Sequence, residues 1–102
     1  MLEYVNYVKI SGQLSKVKKT DSGSYFARIS QVSVVDGKPI EHYFELYCSC
    51  QAKSIHDLLV QDAWVLIEGK LTIFKSRLYH KTVIDVKQVT KIPQPQIPTN
   101  NL

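Results

Sequence analysis

EHYFELYCSCQAKSIHDLLVQDAWVLIEG, residues 41–69, changes its hydrophobic period twice, and those two changes decide the fold. From about Glu41 to Cys48 the chain alternates, with Phe44, Leu46 and Cys48 on one face and Tyr43, Glu45 and Tyr47 on the other. That is the pattern of a strand with one buried side. From Ala52 through Ile55, Leu58 and Leu59 the apolar spacing becomes helical, over a stretch with room for about three turns. Alternation then resumes from Trp64 to about Phe74. A strand, one short helix and another strand follow one another without a long connection.

Working outward, the chain before this stretch reads as two further strands. The first runs from about Val5 to Leu14, with Val8, Ile10 and Leu14 inward and Tyr7, Lys9 and Ser11 outward. Gly12 lies inside it, where a bulge or a sharp bend is expected. Lys16 to Gly23 is polar, ends Thr-Asp-Ser-Gly and reads as a loop. The second strand spans about Tyr25 to Val34, and its alternation slips near Ser30 and Gln31 as a bulged strand's does. Asp36-Gly37-Lys38-Pro39 is a turn. On the far side, a fifth strand runs from about Tyr79 to Val89. Residues 93–102, with Pro93, Pro95 and Pro98, form an extended or flexible tail to a single domain over 1–92. Three strands, a helix and two strands is the order of an all-β OB-fold, a five-stranded Greek-key barrel with one short helix between strands three and four. Closure also removes the exposed edges that an open sheet of this size would carry.

A chain of 102 residues is one domain's worth. Its 13 basic and 9 acidic residues leave a net charge of +4, which favours an anionic partner. It contains no apolar run long enough for a membrane span, and Met1-Leu2-Glu3-Tyr4-Val5-Asn6 is unlike a signal peptide, so a cytoplasmic location is expected. Cys48 and Cys50 are one residue apart on one strand face, where a disulfide is strained, so both are expected as free thiols, with Cys48 buried. With His42, His56 and His80 they make no zinc spacing, and no metal or cofactor is expected. The histidines have no carboxylate constellation, and no Ser-His-Asp spacing, Gly-rich phosphate loop or HExxH occurs, which argues against an enzyme. His56 is expected at the surface of the helix and Trp64 in the core.

Three patches resemble bacterial single-stranded DNA-binding proteins (SSBs). Val5-Asn6-Tyr7-Val8-Lys9-Ile10-Ser11-Gly12-Gln13-Leu14 is similar to that family's first strand, Val-Asn-x-Val-x-Leu-x-Gly-x-Leu. Ala27-Arg28-Ile29-Ser30 is similar to the Ala-Asn-Phe-Thr of its second strand, and Val65-Leu66-Ile67-Glu68-Gly69-Lys70-Leu71 to the Val-x-Ile/Val-Glu-Gly-x-Leu of its fourth. The resemblance covers about Val5 to Val89 and implies an OB-fold that coats single-stranded DNA in replication or recombination. It also implies a homo-oligomer, dimer or tetramer, paired through first-strand edges such as Leu2 to Val8. This chain departs from the family pattern in four places. The connection between strands four and five is cut to Lys75-Ser76-Arg77, Tyr43 stands for a Trp and Ser49 for a Phe, and no acidic recruiting tail is present. A shortened chain of this kind also resembles the primosomal replication protein PriB, an SSB relative without the tail. That alternative implies replication or helicase proteins as further partners. The reduced size suits a phage, plasmid or other mobile-element version.

A non-specific single-strand binder needs rings for bases to stack on and cations for phosphates. In an OB-fold that surface is the outer side of strands two and three with their flanking loops. The outward set here supplies both: Tyr43 and Tyr47 on strand three, Phe26 and Arg28 on strand two, Tyr7 and Lys9 on strand one, and Lys70 and Phe74 on strand four. Lys16, Lys18 and Lys19 from the first loop and Lys75 and Arg77 from the last connection extend the positive charge. Being outward, Tyr43, Tyr47 and Phe74 are expected to carry binding and not stability. Glu45, between the two tyrosines, opposes phosphate and is expected to pair with Arg28 or Lys70 across the sheet. The rival readings are an RNA-binding OB module, which lacks the cold-shock aromatic motifs here, and the PriB-like accessory factor.

Overall fold

Leu14, Ile29, Leu46, Val65, Ile67 and Val86 are all at most 2% exposed, and each comes from the inward face of a strand. In the computed structural model, which describes residues 4–78 and 80–95, these strands are β1 (Val8–Lys19), β2 (Tyr25–Val35), β3 (Lys38–Cys48), β4 (Trp64–Lys75) and β5 (His80–Lys91). One helical turn, α1 (Lys53–His56), lies between β3 and β4. The strands close into a barrel in the order β1-β2-β3-β5-β4. Every neighbour is antiparallel except β3 and β5, which run parallel through Leu46 opposite Ile84 and Tyr47 opposite Asp85. This is the OB-fold that the alternation of periods predicts.

Four local expectations need correction. The helix is one turn, not three. After His56 the chain tightens into i→i−3 bonds, with Leu58 N donating to the Ile55 carbonyl and Leu59 N to that of His56, so Ile55 and Leu59 still reach the core. Apolar spacing required only that those two side chains share a side, and a tightened turn does this as well as a regular helix.

Second, Lys16–Lys19 is not loop but the end of β1, which starts at Val8 rather than Val5. A bulge carries it there: Lys16 has φ +49°, the register on β2 shifts between Ser15 and Lys18, and Val17 packs partly against the core. Gly12 shows no register shift. It lies where β1 passes from β4 to β2, and a methyl group there would overlap the Ser30 carbonyl oxygen.

Third, β2 has no bulge. Its register on β3 is unbroken from Tyr25 opposite Cys48 to Val35 opposite Lys38. The alternation slips because β1 stops pairing at Ser30, and beyond that point the β2–β3 hairpin is an arm with both faces in water. Its tip is the two-residue turn Asp36-Gly37, with φ of +52° and +75°, the left-handed pair that a tight hairpin wants.

Fourth, His56 and Trp64 exchange their expected environments in part. His56 is half-buried, with Nε2 2.6 Å from the Cys50 carbonyl oxygen and its ring 4.7 Å from that of Tyr25. Trp64 is likewise half-buried and lines an open cleft with Leu58, Val60 and Ile92 instead of joining the core. Cys48 is buried, Cys50 half-buried, and both are free thiols. Burial raises the Cys48 thiol above its usual range. The expected start of strand five at Tyr79, the tail from 96 onward and Leu2 in the proposed pairing edge lie outside the described residues.

Candidate functional site

Residues paired across neighbouring strands share a face of the sheet. The registers therefore place Lys18 of β1, Phe26 of β2, Tyr47 of β3, Asp85 of β5 and Lys70 of β4 in one row around the outside of the barrel. A second row, Ser15, Arg28 and Glu45, and a third, Gln13, Ser30 and Tyr43, run beside it over β1, β2 and β3. The unbroken β2–β3 register is what sets Phe26 against Tyr47 and Arg28 against Glu45.

Phe74 enters from β4. It sits on the same outward parity as Lys70, opposite Lys81 in the β4–β5 hairpin. That hairpin brings its ring to 5.1 Å from Phe26, edge-on, and 5.3 Å from Tyr47, while Phe26 and Tyr47 are 4.9 Å apart. The three rings form one half-buried cluster on the outside of the barrel. Tyr47 and Phe74 thus differ from expectation: ring pairs at these separations also hold the fold. Tyr43, 53% exposed, stays apart from the cluster, with the Arg28 guanidinium stacked 4.4 Å over its ring.

Glu45 lies between these groups. Its Oε1 accepts a hydrogen bond from Arg28 Nε at 3.0 Å, and its Oε2 is 3.8 Å from Lys81 Nζ. The expected partner Arg28 is present; the second is Lys81, not Lys70. Lys81 also lies 5.8 Å from the centre of the Phe26 ring. Lys16, Lys18, Phe26, Arg28, Glu45 and Lys81 surround a shallow hollow of about 230 Å³, in which the cations outnumber the carboxylate. Behind the cluster the Tyr47 hydroxyl donates to Ser24 Oγ at 3.2 Å, and Ser24 is 6% exposed.

Of the residues expected from sequence, Phe26, Arg28, Tyr43, Tyr47 and Phe74 converge, bordered by Lys16 and Lys18, with Lys70 at the far end of the first row. Lys19 is opposite Tyr25 and faces away from that row. Lys75 and Arg77 are exposed at the β4–β5 turn that follows Phe74. Tyr7 and Lys9 stand elsewhere, where the chain runs beside β4 rather than β2. Tyr7 donates its hydroxyl to Glu68, and that bond, before desolvation and charge, raises its pKa above the usual tyrosine value. Sequence reasoning missed Lys81, Asp85 and Ser24. No local signal marks Lys81, which meets Glu45 and Phe26 only through the folded β4–β5 hairpin.

Half-exposed rings flanked by cations, on a surface without a deep pocket, can stack flat unpaired bases and neutralise a phosphate line. Among the described residues no cluster of three metal-ligating side chains occurs, and no helix is long and apolar enough to cross a membrane.

No protein-family model matches this chain, and no curated protein matches its sequence. Solved structures do match its fold. A small single-stranded DNA-binding protein from Mycoplasma pneumoniae superposes with a TM-score of 0.71 at 20% identity, covering 92% of this chain and 99% of that one. The SSB of Plasmodium falciparum, solved in complex with single-stranded DNA, gives 0.66 at 13% identity over 91% and 99%. The dimeric N-terminal domain of PriB from Thermoanaerobacter tencongensis gives 0.57 at 14% identity over 87% and 98%. At these identities the likeness is one of fold: this chain has the OB-fold of SSB and PriB proteins.

Proposed function

We propose that this protein binds single-stranded DNA without strong sequence preference, through the outer face of β2 and β3 and the β4–β5 hairpin folded against it. The observation that carries the reading is the Phe26–Tyr47–Phe74 cluster bordered by Lys18, Arg28 and Lys81. Bases stack on the exposed ring faces, while Arg28, Lys81 and the β1 lysines neutralise phosphates. The protein acts as a coat or protector of single strands in replication or recombination, not as an enzyme, and works inside the cell where its substrate is. It assembles as a dimer or tetramer, a reading supported by the exposed Leu71 of β4 and the exposed Val5 of the N-terminal segment, which Asn6 holds to Leu71 through two bonds of 2.8 and 2.9 Å. The PriB-like alternative shares every contact named here and adds protein partners; the better superposition on the Mycoplasma protein favours the coating role.

The test is competition of labelled oligo-dT against duplex DNA and RNA, on protein sized by light scattering. Preference for the single strand, with affinity falling as salt rises, supports the proposal. Equal affinity for duplex and single strand at moderate salt refutes it, and a monomer at tens of micromolar refutes the assembly.

A further inference from the structure

A surface that only stacks bases and neutralises phosphates has no use for a carboxylate at its centre. Glu45 is nevertheless fixed there, one strand alternation from both Tyr43 and Tyr47, with its side chain 29% exposed. Its two oxygens are unequally engaged. Oε1 holds Arg28 at 3.0 Å, whereas Oε2 is 3.8 Å from Lys81, beyond hydrogen-bond range. An ionised carboxylate accepts and never donates, and it carries more acceptor sites than these two cations fill. Arg28 and Lys81 meanwhile orient it: Arg28 is itself pinned over the Tyr43 ring, and Lys81 over Phe26. The hollow these residues border has Phe26 in its lining and, at about 230 Å³, has room for a base.

We propose that Glu45 is a specificity residue that selects, at the nucleotide seated on this hollow, bases carrying an exocyclic amine. This rests on the single-strand reading above. A base stacked on Phe26 or Tyr47 turns its edge toward Oε2. Cytosine there offers its N4 amine, a donor that a carboxylate accepts well. Uracil and thymine offer the O4 carbonyl at the same position, and two acceptors facing one another repel. Discrimination comes from the mismatch as much as from the match, because the carboxylate left without a donor under a base has also lost water.

Oligo-dC and oligo-dU of equal length isolate this edge, since the two bases have the same size and differ in the 3- and 4-position groups. Wild-type protein is expected to prefer oligo-dC by about fivefold, the low end for a well-placed base contact. In Glu45→Gln, which keeps the shape, removes the charge and offers both a donor and an acceptor, the preference is expected to fall toward unity while oligo-dU affinity rises. A melting curve checks that the variant is folded, and Glu45→Ala gives a second route to the same ratio. If Glu45→Gln strengthens both oligonucleotides by the same factor and leaves their ratio unchanged, Glu45 only balances charge and the proposal fails. Equal wild-type affinities for the two also overturn it, without recourse to any variant. Binding to neither, at low salt, refutes the single-strand reading itself and is thereby distinguished from failure of the specificity claim.

Discussion

Replacing Phe74 by alanine separates the binding surface from the barrel that carries it. The ring makes two aromatic contacts, edge-on to Phe26 at 5.1 Å and tilted to Tyr47 at 5.3 Å. Each such pair contributes about 0.5–1.5 kcal/mol beyond its buried area, so the variant is expected to lose roughly 1–3 kcal/mol of stability. In a domain of this size that lowers the melting temperature by roughly 4–24 °C, at about 4–8 °C per kcal/mol. Binding loses a stacking platform, which costs about 1–3 kcal/mol per base, or roughly fivefold to 150-fold in Kd. Fluorescence polarisation of labelled oligo-dT, measured well below the lowered melting point, reads the second effect apart from the first. Ile73 supplies the control. It is the adjacent residue of β4, on the opposite face and 52% exposed, so Ile73→Ala alters the same hairpin without touching the cluster. The reasoning is refuted if folded Phe74→Ala binds like wild type, or if Ile73→Ala loses as much affinity.

Other outcomes follow from the same structure. Gly69→Ala is expected to destabilise the barrel by at least about 1–3 kcal/mol in chemical denaturation, because a methyl group would overlap the Asp85 carbonyl, a backbone atom that cannot yield cheaply; an unchanged midpoint would contradict this packing. Native-state alkylation at mildly alkaline pH should modify Cys50 and spare Cys48, which is 1% exposed and whose thiol burial holds above its usual pKa, a difference that peptide mass mapping reads directly. The log–log dependence of affinity on salt should have a slope near −0.7 per phosphate neutralised, and Lys18→Ala should make it shallower by about that much, whereas Lys9→Ala, beside β4, should not. Ending the chain at Ile92, whose N–H donates to the Trp64 carbonyl, should leave stability and affinity within about 0.5 kcal/mol, as titrations and melts of the shortened protein will tell.

The fold was legible because period is a local property. The alternation at Leu46 and Cys48, its interruption around Ile55 and its return at Val65 and Ile67 each report a face that the barrel buries, whereas Phe44, on the same parity, is 43% exposed where the β2–β3 arm leaves the barrel. What failed was any expectation that needed to know where a neighbouring strand stops. The slip near Ser30 looks like a bulge in sequence, but it marks the end of β1's cover, and nothing within β2 carries that information. The reverse holds at Lys16, where a polar stretch read as loop is kept in the sheet by a positive φ. Within the site, parity alone placed Phe26, Arg28, Tyr43 and Tyr47 correctly on one face. It could not separate Tyr7 and Lys9 from them, because β1 serves two partners and its outward residues divide between two sides of the barrel. Lys81 escaped because its contacts with Glu45 and Phe26 exist only when the β4–β5 hairpin lies across β2 and β3.

The seam between β1 and β4 joins residues that are 51 apart in sequence at Gln13 and Trp64 and 61 apart at Val8 and Gly69. Bringing such ends together costs roughly 3–4 kcal/mol of chain entropy, while the two-residue turn of the β2–β3 hairpin costs little. Chain entropy therefore predicts an order of assembly: the hairpin forms in about microseconds, and closure of the ring comes late. Phe26 and Tyr47 are present from the beginning of that sequence, but Phe74 reaches them only once β5 has docked beside β3. A chain still emerging from synthesis, or one partly opened by heat, offers two rings of the three. On the proposed mode of binding, a strand that stacks on all three rings would draw the open forms toward the closed one.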